Sequence, residues 1–392
     1  MDKKLPTVAI HGGEEEPHAL NSVAPPIFQT AIYSMNRFDD LRRFAQGRAP
    51  ELYLYTRSGN PTVEVAARKI AELEGAEAAL VTASGSAASF AIAVSLLKAG
   101  DEILASQNVY GGTYRMMRDI LPRFGISTRF VEGDDLADVG RVVNERTRVL
   151  WFDSPSNPLN RVIDLGRAAS LAREYNLISV IDSTFASPIN QRPLEHGLDL
   201  VMHSATKYLS GHSDLTAGAV CGSAALVAQV RKTLVATGAI LDPSAAALLI
   251  RGMKTLDVRI ERVNKNSQSL AEFFESHAKV ARVYYPGLPS SPSYEIASRQ
   301  MSGFGGVVTI DLAGNSEAAV ERFCDALKLI KIATSLGGTE TVVTYPIYTS
   351  HSGLSDEELA LTGVGRGTVR FSVGIEAVED LKADLLGALE AV

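Results

Sequence analysis

Helical spacing of apolar residues begins at residue 61. There PTVEVAARKIAELEG opens with Pro61 in a predicted first turn and stops at Gly75. Short apolar runs and longer amphipathic ones then alternate. AEAALVTAS predicts a strand, GSAASFAIAVSLLKAG a helix ending at Gly100, and DEILAS a second strand. TYRMMRDILPRFG predicts a helix broken at its proline, and ISTRFVEG a strand. TRVLWFDSPSNP, NLISVIDSTF and LDLVMHSAT predict three more strands, separated by helices such as LGRAASLAREYN. Strands and helices alternating at these lengths imply an α/β fold with a large, mainly parallel sheet covered on both faces. Residues 242–277 predict a long helical connector. Beyond it GGVVTIDLAG, AVERFCDALKLI and GTVRFSVG predict a smaller C-terminal α/β unit. Residues 1–60 show no such period, and VAPPIFQTAIY (23–33) reads as an extended, proline-interrupted arm that must lie over another part of the chain or another subunit. The expected division is an arm over 1–60, a sheet domain over 61–255 and a C-terminal domain over 256–392.

Composition narrows the class. A chain of 392 residues suits two or three domains. Its net charge of -7 argues against a nucleic-acid binder, which would carry a basic patch or stripe. The two cysteines, Cys221 and Cys324, form no CxxC and no Cys/His cluster, so neither a disulfide framework nor a zinc site is expected. MDKKLPTVAI lacks the apolar run of a secretory signal, and TAGAVCGSAALVAQV (216–230) is too short to span a bilayer. The expected setting is the cytoplasm, with no membrane and no nucleic acid as partner.

In open parallel sheets, ligands sit at the carboxyl ends of the strands. VTASGSAA places Ser84, Gly85 and Ser86 at a strand-to-helix turn, where backbone N–H groups and a helix N-terminus favour an anion, although Ser-Gly also makes an ordinary turn. The dinucleotide GxGxxG and the P-loop GxxxxGK(S/T) are absent at this turn. LISVIDSTF ends in Asp182, which reads either as a helix cap or as a buried anion held for a ring-nitrogen cation. Lys207, in SATKYLSGHSD, follows the apolar run LDLVMHSA and emerges between the hydroxyls of Ser204 and Thr206. A lysine in such a place either buries its stem and reaches solvent or becomes nucleophilic by desolvation. An anion cradle, a strand-end aspartate and a strand-end lysine, in that order, match what pyridoxal phosphate requires: phosphate donors, an anion for the pyridinium nitrogen and an amine for the aldehyde.

The chain resembles the pyridoxal-phosphate-dependent Cys/Met metabolism (trans-sulfuration) enzymes, a branch of the aspartate-aminotransferase-like fold type I. YTRSGNPT (55–62), ASGSAA (83–88), VYGGT (109–113), DSPSNP (153–158), IDSTF (181–185), HSATKYLSGHSD (203–214), RGMKTLDVR (251–259), YPGLPS (285–290), SLGGTET (335–341) and VRFSVGIE (369–376) carry the likeness over nearly the whole chain. The resemblance implies that Lys207 holds the cofactor as a covalent aldimine and moves protons between substrate carbons. It implies Asp182 as the pyridinium partner, Tyr110 as the aromatic stacked on the ring, and Gly85, Ser86, Ser204 and Thr206 as phosphate ligands. It further implies that Tyr55 and Arg57 reach the phosphate from a neighbouring subunit, in a homotetramer built as a dimer of dimers. Arg370 resembles the clamp on the substrate α-carboxylate, and Asn157 and Ser335 resemble supporting contacts to cofactor and substrate.

The family removes protons at Cα and Cβ and expels a γ-substituent. Water then gives a 2-oxo acid and ammonia, whereas a thiol gives γ-replacement. Gly112 stands where typical methionine γ-lyases carry cysteine, while Arg115 and Glu340 resemble cystathionine γ-lyase. Leu54 stands where cystathionine γ-lyases often carry glutamate, which favours a shorter, less charged substrate. The expected activity is a carbon–sulfur γ-lyase acting on cystathionine, methionine or homocysteine. The alternatives are γ-replacement, as in cystathionine γ-synthase or an O-acylhomoserine sulfhydrylase, and a non-catalytic binding protein that keeps the fold.

Overall fold

A computed structural model describes residues 3–15, 18–131 and 136–392. Among these, one sheet is built from β1 (Ala78–Thr82), β2 (Glu102–Ser106), β3 (Ser127–Val131), β4 (Thr147–Asp153), β5 (Ile178–Asp182), β6 (Leu200–His203) and β7 (Gly218–Gly222). Their spatial order is β1-β7-β6-β5-β4-β2-β3, and β7 alone runs against its neighbours. The carboxyl ends of the other six strands therefore share one edge. Successive residues of the inner strands face opposite sides. Trp151 joins one apolar cluster with Val180 and Met202, whereas Phe152 joins another with Ile181 and Val201. Both aromatic side chains are fully buried, each burial contributing roughly 1.5–3 kcal/mol.

The second sheet comprises β8 (Val280–Tyr284), β9 (Val307–Leu312), β10 (Lys331–Ile332), β11 (Val342–Thr344) and β12 (Thr368–Ser372), in the order β10-β11-β12-β9-β8. It has its own core around Phe274, Phe323 and Phe371. The expected connector is two helices, Pro243–Met253 and Leu256–Glu275. The second joins both cores: Leu256, Ile260 and Val263 pack on the large sheet, and Leu270, Ala271 and Phe274 on the small one. The expected boundary after residue 255 falls at its first turn.

The structure corrects the sequence reading in three places. The arm, which shows no period in the sequence, contains helices Leu5–His11 and Phe38–Ala45, while residues 23–33 carry no helix; its residues 1, 2, 16 and 17 lie outside the described ones. Helix Leu5–His11 is held by helix Pro61–Glu74, whose buried Lys69 donates to the carbonyl of Ile10 (2.9 Å) and pairs with Glu14 (3.1 Å). Strand β7 was not expected, because GAVCG has too few large apolar residues to announce a strand. The helix expected in TYRMMRDILPRFG changes pitch twice: α over Gly111–Arg115, π over Met116–Ile120 and 3-10 over Leu121–Phe124. Pro122 cannot donate an intrahelical hydrogen bond, which explains the break. Of the strand expected in ISTRFVEG, Glu132 and Gly133 lie outside the described residues. No described helix is long and apolar enough to cross a membrane.

Candidate active site

A cavity of about 380 Å³ opens where β1, β4, β5 and β6 end and the small sheet approaches. Ser84 leaves β1 and caps helix Gly85–Leu96, its Oγ accepting from the N–H of Ala87 (3.1 Å). The first-turn N–H groups of such a helix lack intrahelical acceptors, and Gly85 and Ser86 line the cavity. Glycine is needed at 85, because a Cβ there would lie 2.9 Å from Ser204 Cβ.

Asp182 closes β5, and its Oδ1 accepts twice from Thr184, from the backbone N–H (2.9 Å) and from the hydroxyl (2.5 Å). Burial pushes its carboxyl up, opposed first by the Thr184 donors and then by electrostatic interaction with neighbouring basic groups, Lys207 among them. Ser204 and Thr206 follow β6 and line the same wall. The hydroxyl of Thr206 already donates to the carbonyl of Ala217 (3.1 Å), so an anion would compete for that donor. Lys207 Nζ donates to Ser335 Oγ at 2.5 Å. Burial, then the charge of Arg370, holds its amine down at about 8, with Asp182 working the other way. At that value a substantial neutral fraction exists near neutral pH.

The small sheet contributes Arg370 from β12. Its Nη1 donates to Asn157 Oδ1 (2.7 Å), its Nη2 to the carbonyl of Ser335 (2.8 Å), and its Nε is buried without a partner. Asn157 therefore contacts Arg370 itself. Ser335 holds a left-handed backbone with φ of 79°, unusual for a residue with a side chain, between the two cations it bonds. Tyr110 and Arg115 line the cavity from the two ends of helix Gly111–Arg115, and Arg115 Nη1 also reaches the carbonyl of Ser352 (3.3 Å). Gly112 abuts the Tyr110 ring, and a Cβ there would lie 2.4 Å from Tyr110 Cε1.

The remaining expected residues lie elsewhere in the single chain. Glu340 faces a neighbouring depression that shares Thr206 and Ser335 with the cavity. Leu54, Tyr55 and Arg57 are not among the cavity's lining residues; Leu54 and Tyr55 stand 40% and 44% exposed, and Arg57 lies over the Tyr55 ring (5.4 Å). Sequence reasoning missed Asp153. It ends β4 after an apolar run, the same signal that singled out Asp182, but was read only as part of DSPSNP. The hydroxyl of Thr184, which also accepts from the Ser204 N–H (2.8 Å), was missed as well.

The donor set fits a phosphorylated aldehyde with a basic ring nitrogen. It offers an amine of lowered pKa, a strand-end carboxylate, an aromatic ring and a helix N-terminus flanked by hydroxyls, with the buried Arg370 Nε awaiting an acceptor.

Residues 6–390 match the Cys/Met metabolism PLP-dependent enzyme family. An L-methionine gamma-lyase of Fusobacterium nucleatum subsp. polymorphum is 41% identical over 394 residues, covering 99% of this chain and 98% of that protein. Cystathionine gamma-synthase 1, chloroplastic, of Arabidopsis thaliana is also 41% identical, over 98% of this chain and 69% of that protein. The crystal structure of cystathionine gamma-lyase from Lactobacillus plantarum complexed with L-serine has a TM-score of 0.92 at 35% identity, covering 100% of this chain and 99% of that one.

Proposed function

Because the chain belongs to the Cys/Met metabolism PLP-dependent enzyme family, we propose that this trans-sulfuration enzyme is a carbon–sulfur γ-lyase acting on cystathionine or methionine-like amino acids. The observation that carries the reading is the bond from Lys207 to Ser335, with Arg370 on the same serine: a proton-moving amine stands beside a carboxylate clamp.

Pyridoxal phosphate, the cofactor of this family, supplies the electron sink for carbanion chemistry at an amino acid's Cα and Cβ. Lys207 would attach it, Asp182 would pair its ring nitrogen and Tyr110 would face its ring. Gly85, Ser86, Ser204 and Thr206 would hold its phosphate. Lys207, with its amine near 8, takes a proton at Nζ and returns it at the next carbon, and Ser335 Oγ holds Nζ between transfers. Arg370, fixed by Asn157 and the Ser335 carbonyl, presents its remaining N–H to the substrate α-carboxylate. Arg115 lines the side toward the γ-substituent, Gly112 sets the Tyr110 ring from behind, and Glu340 and Leu54 stand farther out. The exposed Leu54, Tyr55 and Arg57 complete the site of a second copy, within a homotetramer of two such dimers.

The rival reading is γ-replacement, favoured by the likeness to the plant cystathionine gamma-synthase. The two separate on incubation with methionine, cystathionine and O-acetyl- or O-succinylhomoserine, with and without a thiol. A lyase releases 2-oxobutyrate from the thioethers without added thiol. Release from acylhomoserines alone, or dominance of the replacement product, sinks the lyase reading. A purified protein that stays colourless with cofactor supplied sinks both.

A further inference from the structure

Asp153 closes β4 and Asp182 closes β5, and the two are register partners on adjacent parallel strands. Strands so paired lie about 4.8 Å apart. Alternation puts both side chains on the face that carries Trp151 and Val180, and both line the cavity. Two buried carboxylates on register-paired strands disfavour one another's ionisation.

Their hydrogen bonds decide which oxygen a retained proton occupies. Asp182 Oδ1 receives two donors from Thr184, which stabilise a negative charge. Asp153 Oδ2 receives one, the backbone N–H of Tyr110, at 2.7 Å. Asp153 Oδ1 is buried and has no partner, and the residue is only 6% exposed. An unpaired buried carboxylate oxygen is costly when charged and tolerable when protonated.

We propose that Asp153 is a positioning residue acting as a neutral acid. Through Oδ2 it fixes the Tyr110 backbone, and with it the ring facing the cavity, while a proton on Oδ1 leaves the pair's single negative charge on Asp182. The groups that bear on Asp153 are Asp182 from β5 and the backbone N–H of Tyr110, which sits just before helix Gly111–Arg115. Burial, then Asp182, pushes the Asp153 carboxyl well above the usual carboxylate range, in the same direction. The proposal rests on the reading of Asp182 as the cofactor's charge partner.

Three variants separate the two claims: Asp153→Asn, Asp153→Ala and Asp182→Asn. Asparagine at 153 keeps an acceptor for the Tyr110 N–H and replaces the acid's O–H by an N–H. The cofactor-free proteins are titrated with pyridoxal phosphate by absorbance, and each is checked by circular dichroism. Asp153→Asn is expected to bind within about threefold of wild type, and Asp153→Ala about tenfold more weakly, as for one lost buried hydrogen bond. A difference infrared spectrum, wild type minus Asp153→Asn in cofactor-free protein at neutral pH, is expected to show a protonated-carboxyl C=O band. A lost carboxylate band in its place, or binding by Asp153→Asn as weak as by Asp182→Asn, overturns the neutral acid. Wild-type binding by Asp153→Ala overturns the positioning role. Wild-type binding by Asp182→Asn instead overturns the reading of Asp182, and the infrared band then still reports on Asp153 alone.

Discussion

Ser335 accepts from Lys207 through its hydroxyl and from Arg370 through its carbonyl, so one residue of left-handed backbone joins the amine of the large sheet's edge to the guanidinium of the small sheet. The burial of Lys207, and next the proximity of Arg370, is felt in stability. Lys207 titrates at about 8 in the folded chain and at its ordinary 10.5 when unfolded. Below pH 8 both states are charged, and the folded one bears the full cost of burying that charge. Between about 8 and 10.5 the folded chain releases the proton while the unfolded chain keeps it, so stability rises with pH. Lys207→Met removes the group. In cofactor-free protein its melting temperature is expected to exceed wild type most below pH 8, with the gap closing through that window. A gap independent of pH would show that the amine is not held down.

Arg370→Lys tests the carboxylate clamp. Arg370 reaches Asn157 and Ser335 with separate Nη atoms, a fork that lysine cannot reproduce. Losing a charge-assisted contact costs about 1.5–3 kcal/mol, roughly a 10- to 100-fold rise in KM for the amino acid. The value of kcat should change far less. A fall in kcat at unchanged KM would place the guanidinium away from substrate.

Gly112→Ala asks how tightly the Tyr110 ring is set. The added Cβ would lie 2.4 Å from Tyr110 Cε1, so the ring must move. A shift of about 1 Å at a reacting centre costs up to about 100-fold in rate, and kcat/KM is expected to fall toward that limit, with a changed cofactor absorption spectrum. Unaltered spectrum and rate would mean that the ring has room to spare.

The parts of this site that were legible in the sequence share one property: each lies at the end of a locally announced element. Asp182 and Lys207 follow apolar strands, and Gly85 follows a strand and opens a helix, so short-range pattern placed them at one sheet edge. Asp153 carried the same signal but sat inside TRVLWFDSPSNP, where the predicted strand runs on into a Pro-containing stretch, and only its register with Asp182 marks it out. The bond from Arg370 to Asn157 spans 213 residues and two sheets, and nothing local announces it. Helix Leu5–His11 escaped for a related reason: seven residues are too few for a period, and its stability comes from Lys69 and the face of helix Pro61–Glu74. Leu54, Tyr55 and Arg57 were picked out by resemblance alone, and a single chain leaves them away from Lys207.

That separation makes subunit sharing testable by complementation. If Arg57 serves the cofactor phosphate of a second copy, Lys207→Ala and Arg57→Ala each inactivate a homodimer for a different reason. Unfolded together and refolded at equal amounts, about half of the dimers formed at random carry one of each chain. Such a dimer has one site with both defects and one with neither. Activity is therefore expected to recover to about a quarter of wild type per chain, from two nearly inactive parents. Size-exclusion chromatography of the mixture checks that dimers or larger assemblies have reformed. No recovery in a properly assembled mixture would place Arg57 and Lys207 in the same chain's site, against their separation here.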